Sequence, residues 1–137
     1  MTIPELLRSS KTVAVVGISD KPGRHSNDVA RQLMRRGFTI IPVNPALKEW
    51  NGIPAYAYVS EIPDSIAIDI VDIFRRSEYT PETVRDVLKR SAKPRCIWLQ
   101  LGIINAEARQ LAEDAGIFYV ENHCMAIETG KFGVTVA

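Results

Sequence analysis

Gly17 and Gly23 bracket a loop that carries Ser19, Lys21, Pro22, Arg24, His25 and Ser26 just ahead of a helical pattern. Free backbone N–H groups at a helix start, the positive end of the helix dipole and two fixed cations at one spot suit a pyrophosphate or a phosphorylated ribose. The same residue types also fit a solvated loop tip. The dinucleotide fingerprint G-x-G-x-x-G, laid on Gly17, needs glycines at positions 19 and 22, where this chain has Ser19 and Pro22. The acid that would hold an adenosine ribose after the next strand is missing, with Asn44-Pro45 in its place. Both departures argue against NAD.

Other groups capable of chemistry are few. His123 and Cys124 are neighbours, but adjacent residues on an extended segment point to opposite sides, which works against a thiolate–imidazole pair. Cys124 then reads as a small buried residue, with a redox role or a mixed disulfide with a ligand thiol as the alternative. Cys96 lies in an apolar run and reads as packing. His25 has no matching nucleophile or carboxylate, so a binding or surface role fits it better than acid–base work. Asp69 and Asp72 are three apart on a strand and fall on opposite faces, so they make no carboxylate pair. Arg75-Arg76 follows a strand end, where one of them meets a phosphate or both lie on a solvated turn. Trp98 reads as core. Trp50 covers the crevice or shields a short strand.

The elements that position these residues alternate. Residues 12–18 (TVAVVGI) are β-branched and almost continuously apolar, as in a strand covered on both faces, and are expected to form the central strand. Ser26 is expected to cap a helix carrying Val29, Ala30, Leu33 and Met34, which ends at Arg35-Arg36-Gly37. Residues 38–43 read as a second strand, shortened because Pro42 argues for a strand end or an edge-like position. Asn51-Gly52 introduces a short extended piece over 53–58, an edge that offers an association surface. Strands are expected over 66–74, 95–101 and 117–121. Thr80-Pro81-Glu82 starts a helix running to about Arg90, and Asn105 caps another with Ala108, Leu111, Ala112 and Ala115 on its apolar face. Helix–strand alternation with short connections predicts an α/β fold: one doubly wound, mostly parallel sheet with helices on both faces, Rossmann-like, its ligand crevice at the carboxyl ends of the strands.

With 137 residues, 46% of them hydrophobic, the chain is expected to form one domain over residues 1–137. Seventeen basic and sixteen acidic residues give no global field for nucleic acid or an anionic membrane, so any anion site is local. The first eleven residues lack a signal-peptide pattern and no run is long enough to span a membrane, which predicts a cytoplasmic protein. Two cysteines without a CxxC argue against a disulfide framework or a zinc site.

Three blocks carry a resemblance: residues 14–45, the strand end DIVDIFRRSE (69–78), and WLQLGIINAEARQLAEDAG (98–116) followed by ENHCMAIE (121–128). In order and spacing they resemble the small stand-alone CoA-binding proteins, whose domain is similar to that of the succinyl-CoA synthetase α subunit and of ADP-forming acyl-CoA synthetases. The likeness runs over about residues 10–129. It implies that Gly17, Ile18, Ser19, Lys21, Pro22, Arg24 and Ser26 hold the phosphate end of coenzyme A. By the same resemblance Val43, Asn44 and Pro45 flank the nucleotide, and Phe74, Arg75, Arg76 and Ser77 line the next edge. Gln100, Leu101 and Gly102 would lie near the pantetheine path, with Asn122 and Cys124 beyond it. Coenzyme A carries a 3′-phosphate that an acid after the second strand would repel, so neutral Asn44 agrees with the resemblance.

The expectation is a non-catalytic or regulatory module that binds CoA or an acyl-CoA, alone, as a homo-oligomer or with a protein partner. The alternatives are an NAD(P)-binding redox protein and an acyl-CoA-processing enzyme completed by a partner.

Overall fold

The computed structural model describes residues 1–137. Its elements in chain order are α1 (Ile3–Arg8), β1 (Thr12–Val16), α2 (His25–Arg35), β2 (Thr39–Val43), β3 (Glu49–Trp50), β4 (Ile53–Pro54), β5 (Ile70–Ile73), α3 (Thr80–Val87), β6 (Cys96–Leu99), α4 (Ala106–Asp114), β7 (Phe118–Val120) and α5 (Met125–Lys131). Single 3-10 turns cover Val59–Glu61 and Ser77–Tyr79.

Five strands form one parallel sheet in the order β2-β1-β5-β6-β7. The expected Rossmann-like α/β architecture is therefore present. β1 does not occupy the centre, as the sequence suggested. β5 does, and β1 lies between it and the edge strand β2. Both positions bury a strand on two sides, so the apolar run of β1 is the same for either.

Alternation along the strands splits the core into two faces. On one, Val13, Val15, Ile70 and Trp98 pack with Leu6 and Leu7 of α1, Val29, Ala30 and Leu33 of α2, and Met125 of α5. On the other, Ala14, Val71, Ile97 and Leu99 pack with Val84 and Val87 of α3 and with Ala108 and Ala112 of α4. At roughly 1.5–3 kcal/mol for each fully buried aliphatic side chain, both faces contribute heavily to stability.

Pro42 sits in β2, at the edge of the sheet. Tyr56 covers that edge, donating its N–H to the Pro42 carbonyl and accepting from Asn44 N–H. The stretch expected to run extended over 53–58 thus spends its polar groups on β2, and only Ile53–Pro54 is strand. β3 and β4 form a hairpin across Asn51 (φ 52°) and Gly52 (φ 77°), the two left-handed residues of a tight hairpin turn.

Helix boundaries shift for local reasons. The cap of α2 is Arg24, not Ser26, because the Ser26 hydroxyl accepts from Ser19 N–H instead. α3 ends at Val87 rather than near Arg90. Arg90 is 3% exposed and donates to the carbonyls of Ile62, Pro63, Ile66 and Ala92. Asn105 caps α4 as expected, accepting from Ala108 N–H at 2.8 Å.

Candidate functional site

Four strand ends converge. The Gly17 N–H donates to the Val43 carbonyl, and Phe74 N–H donates to the Val16 carbonyl, both at 2.9 Å. Gly17 has φ 81°, and a Cβ placed there would meet the Phe74 carbonyl oxygen at 2.3 Å. Only a residue without a side chain lets the β1 and β5 ends approach this closely.

The loop after Gly17 is held from inside. Ile18 is fully buried, and its carbonyl accepts from Asn44 Nδ2 at 2.8 Å. Ser19 N–H donates to Ser26 Oγ, Lys21 N–H donates to Ser19 Oγ, and the Ser19 carbonyl accepts from Trp50 Nε1. Arg24 gives α2 no side-chain cap, and the N–H groups of His25, Ser26 and Asn27 have no acceptor in the chain. That set of free donors beside Arg24 is the chemistry of an anion cradle.

Two adjoining cavities open over these ends. The larger, of about 900 Å³, is walled by Val43, Asn44 and Pro45, by Phe74, Arg75 and Arg76, and by Tyr58, Ser60, Tyr79, Thr83, Arg85 and Lys89. The smaller, of about 400 Å³, is walled by Ser19, Arg24, His25, Ser26, Gln100, Leu101 and Ile103. Gly17, Phe74, Arg75 and Arg76 line both, which makes one crevice at the carboxyl edge of the sheet. Arg75 is oriented by Thr83, whose Oγ1 accepts at 3.2 Å, and by Tyr79, whose ring centroid lies 5.1 Å from the guanidinium.

Of the residues singled out in the sequence, Gly17, Ser19, Arg24, Ser26, Val43, Asn44, Pro45, Phe74, Arg75, Arg76, Gln100 and Leu101 line this crevice. The others do not. Lys21 and Pro22 are exposed on the loop tip, and Ile18 lies beneath it. Ser77 braces a neighbouring loop, accepting from Ile104 N–H through Oγ and from Asn105 Nδ2 through its carbonyl. Gly102 N–H donates to Asn122 Oδ1 at 2.7 Å, so this pair shapes the 100–105 loop from its outer side. Cys124 is 4% exposed within the core and lines neither cavity. His123 engages Glu128 at 2.9 Å rather than the thiol. Burial pushes the Cys96 thiol up, with the carboxyl of Asp72 adding to the effect.

Sequence reading missed the α3 wall. Glu82, Arg85 and Asp86 form the polar side of that helix and Lys89 follows at the same spacing in the turn after it, which was the available signal. Arg85 pairs with Glu107, and Ser60 Oγ donates to Asp86 at 2.5 Å, so the wall is partly neutralised. His25 was left outside the expected ligand residues. It lines the smaller cavity, its ring edge-to-face with Phe74 at 5.8 Å between centroids.

Comparison with known proteins gives relatives of the same fold. The chain is 38% identical over 125 residues to the uncharacterized protein YneT of Bacillus subtilis (strain 168), covering 91% of this chain and 90% of that one. A solved structure of a protein from Pyrococcus horikoshii OT3 superposes with TM-score 0.87 at 35% identity, covering 93% of this chain and 87% of that one. Acetate–CoA ligase [ADP-forming] I of Archaeoglobus fulgidus is 26% identical over 131 residues, which span 90% of this chain but 19% of the ligase. A family model described as CoA binding domain matches residues 11–130, from the residue before β1 into α5, and so takes in every loop of the crevice. The chain belongs to the CoA binding domain family.

Proposed function

We propose that this protein binds coenzyme A or an acyl-CoA in the crevice at the carboxyl edge of its sheet, as a non-catalytic or regulatory module. The observation that carries the reading is the free amide set of His25, Ser26 and Asn27 beside Arg24, continuous through Gly17 and Phe74 with a cavity edged by Arg75 and Arg76. Coenzyme A brings a pyrophosphate for the amides and a 3′-phosphate for the arginines. Asn44 supports CoA over NAD. It is neutral, and its amide is spent on the Ile18 carbonyl and Ala46 N–H, so it is not organised to hold a ribose diol.

The non-catalytic part of the reading rests on the buried cysteines and on the His123–Glu128 pair, which leave the crevice without a matched nucleophile and base. The full ligase is more than five times the span matched here, and its activity is a property of that longer protein.

Arg24→Ala and Arg75→Ala test the site. Each removes charge-assisted hydrogen bonds worth ~1.5–3 kcal/mol, so CoA affinity measured by calorimetry falls about tenfold or more. Affinity unchanged in both variants would move the ligand elsewhere on the molecule.

A further inference from the structure

The smaller cavity holds a residue pair whose donor and acceptor logic fixes a tautomer. Gln100 is 1% exposed, and its Oε1 accepts from Met125 N–H at 3.1 Å. Met125 opens α5, whose cap residue Cys124 offers no side-chain acceptor, so the Gln100 oxygen is the partner that amide has. Turning the Gln100 amide over would set its NH₂ against the Met125 N–H, donor against donor. The NH₂ therefore faces His25, with the two Nε2 atoms 3.1 Å apart. An amide NH₂ only donates, so His25 Nε2 accepts and the ring proton resides on Nδ1.

The Nδ1–H has no partner within the chain. It belongs to a ring packed on Phe74, in a cavity where Leu101 and Ile103 give an apolar stretch and Arg24, Arg75 and Arg76 the charged one. A ring carrying protons on both nitrogens would set its second N–H against the Gln100 NH₂. A neutral carbonyl oxygen accepts from Nδ1–H without that conflict.

Resting on the CoA reading above, we propose that His25, oriented by Gln100, recognises a carbonyl oxygen of the pantetheine arm or of a thioester carried on it. The phosphates are held by the α2 amides and the arginines. His25 contacts the ligand, and Gln100 is its positioning residue.

The experiment titrates wild type, His25→Ala, His25→Asn and His25→Gln with CoA, acetyl-CoA and adenosine 3′,5′-bisphosphate. The Ala and Gln variants weaken binding of arm-bearing ligands about 5- to 10-fold, the size of one lost hydrogen bond. Asn places an amide NH₂ where Nδ1 lies and restores the affinity, and the bisphosphate binds all four proteins alike. Loss with both CoA and acetyl-CoA assigns an arm amide, and loss with acetyl-CoA alone assigns the thioester.

Loss of the same size for the bisphosphate, or no loss for any ligand, overturns the proposal. Imidazole ¹⁵N shifts give an independent readout: wild type shows Nδ1–H. Gln100→Met removes the NH₂ from which Nε2 accepts, so the ring loses its fixed tautomer and binding of the same ligands weakens. A wild-type Nε2–H tautomer overturns the proposal. A wild-type protein that binds none of the three ligands overturns the CoA reading itself.

Discussion

The indole Nε1 of Trp50 donates to the carbonyl of Ser19 at 3.0 Å and shares the same proton with Asn27 Oδ1, also at 3.0 Å. One buried tryptophan on the β3–β4 hairpin thus joins the crevice loop to the first turn of α2. Trp50→Phe keeps most of the ring and removes the N–H. It leaves a carbonyl and an amide oxygen without their donor, at about 1–3 kcal/mol. Urea denaturation should show that loss, and CoA affinity should fall with it, because the loop is no longer pinned. Unchanged stability would mean that other donors replace the indole.

Gly17→Ala strains the site in two ways. The φ of 81° costs a side-chain-bearing residue ~1–2 kcal/mol, and the new methyl meets a backbone oxygen that cannot rotate away. Thermal unfolding should drop in proportion, and ligand binding should weaken more than in Gly23→Ala. Gly23 is also at positive φ but has open space around it.

Asp72 gives a pH signature. Its carboxyl is fully buried between Val15 and Trp98 of the neighbouring strands, with both oxygens lacking a partner, and burial pushes it well above the usual carboxylate range. The folded protein keeps that proton at pH values where the unfolded chain has lost it. Stability therefore falls as pH rises from the ordinary carboxylate range towards the raised folded value. Asp72→Asn, which cannot ionise, should lack this fall, so its advantage over wild type widens with pH in denaturation series. Parallel curves would show that Asp72 does not carry the dependence.

Both thiols are buried. A thiol-labelling reagent should modify neither Cys96 nor Cys124 in the native protein and both after unfolding. Cys124→Ala should leave CoA affinity unchanged, since the residue lies outside the crevice. Rapid native labelling of Cys124, or a CoA adduct on it, would restore the redox role.

The parts of the fold that depend on neighbours in sequence were readable. Asn105 announced its helix, Arg35-Arg36-Gly37 its ending, and Pro42 an edge or a strand end, of which the edge holds, because each effect acts within a few residues. Strand order was not: which strand is central depends on pairings between distant segments, and β1 and β5 are both buried. The strand expected over 66–74 shrank to Ile70–Ile73 because Ile66 and Ile68 pack against the core from irregular chain ahead of the ladder. α1 was missed although Thr2 accepts from Glu5 N–H and Pro4 sits in its first turn, the kind of start recognised at Thr80-Pro81. α5 was missed because its seven residues, with Gly130 near the end, make no clear apolar stripe.

For the site, the four strand-end loops followed from topology alone. The assignments that shifted were those where a side chain had a structural partner invisible in sequence. Ser77 braces Ile104 and Asn105, Asn122 bonds Gly102, and Cys124 faces the core.

The central claim is tested most directly by titrating the purified protein with CoA, dephospho-CoA and NAD in the same calorimetric buffer. CoA should bind tightest, dephospho-CoA about tenfold or more weaker through loss of a charge-assisted phosphate contact, and NAD weakest. NAD binding tighter than CoA would contradict the account.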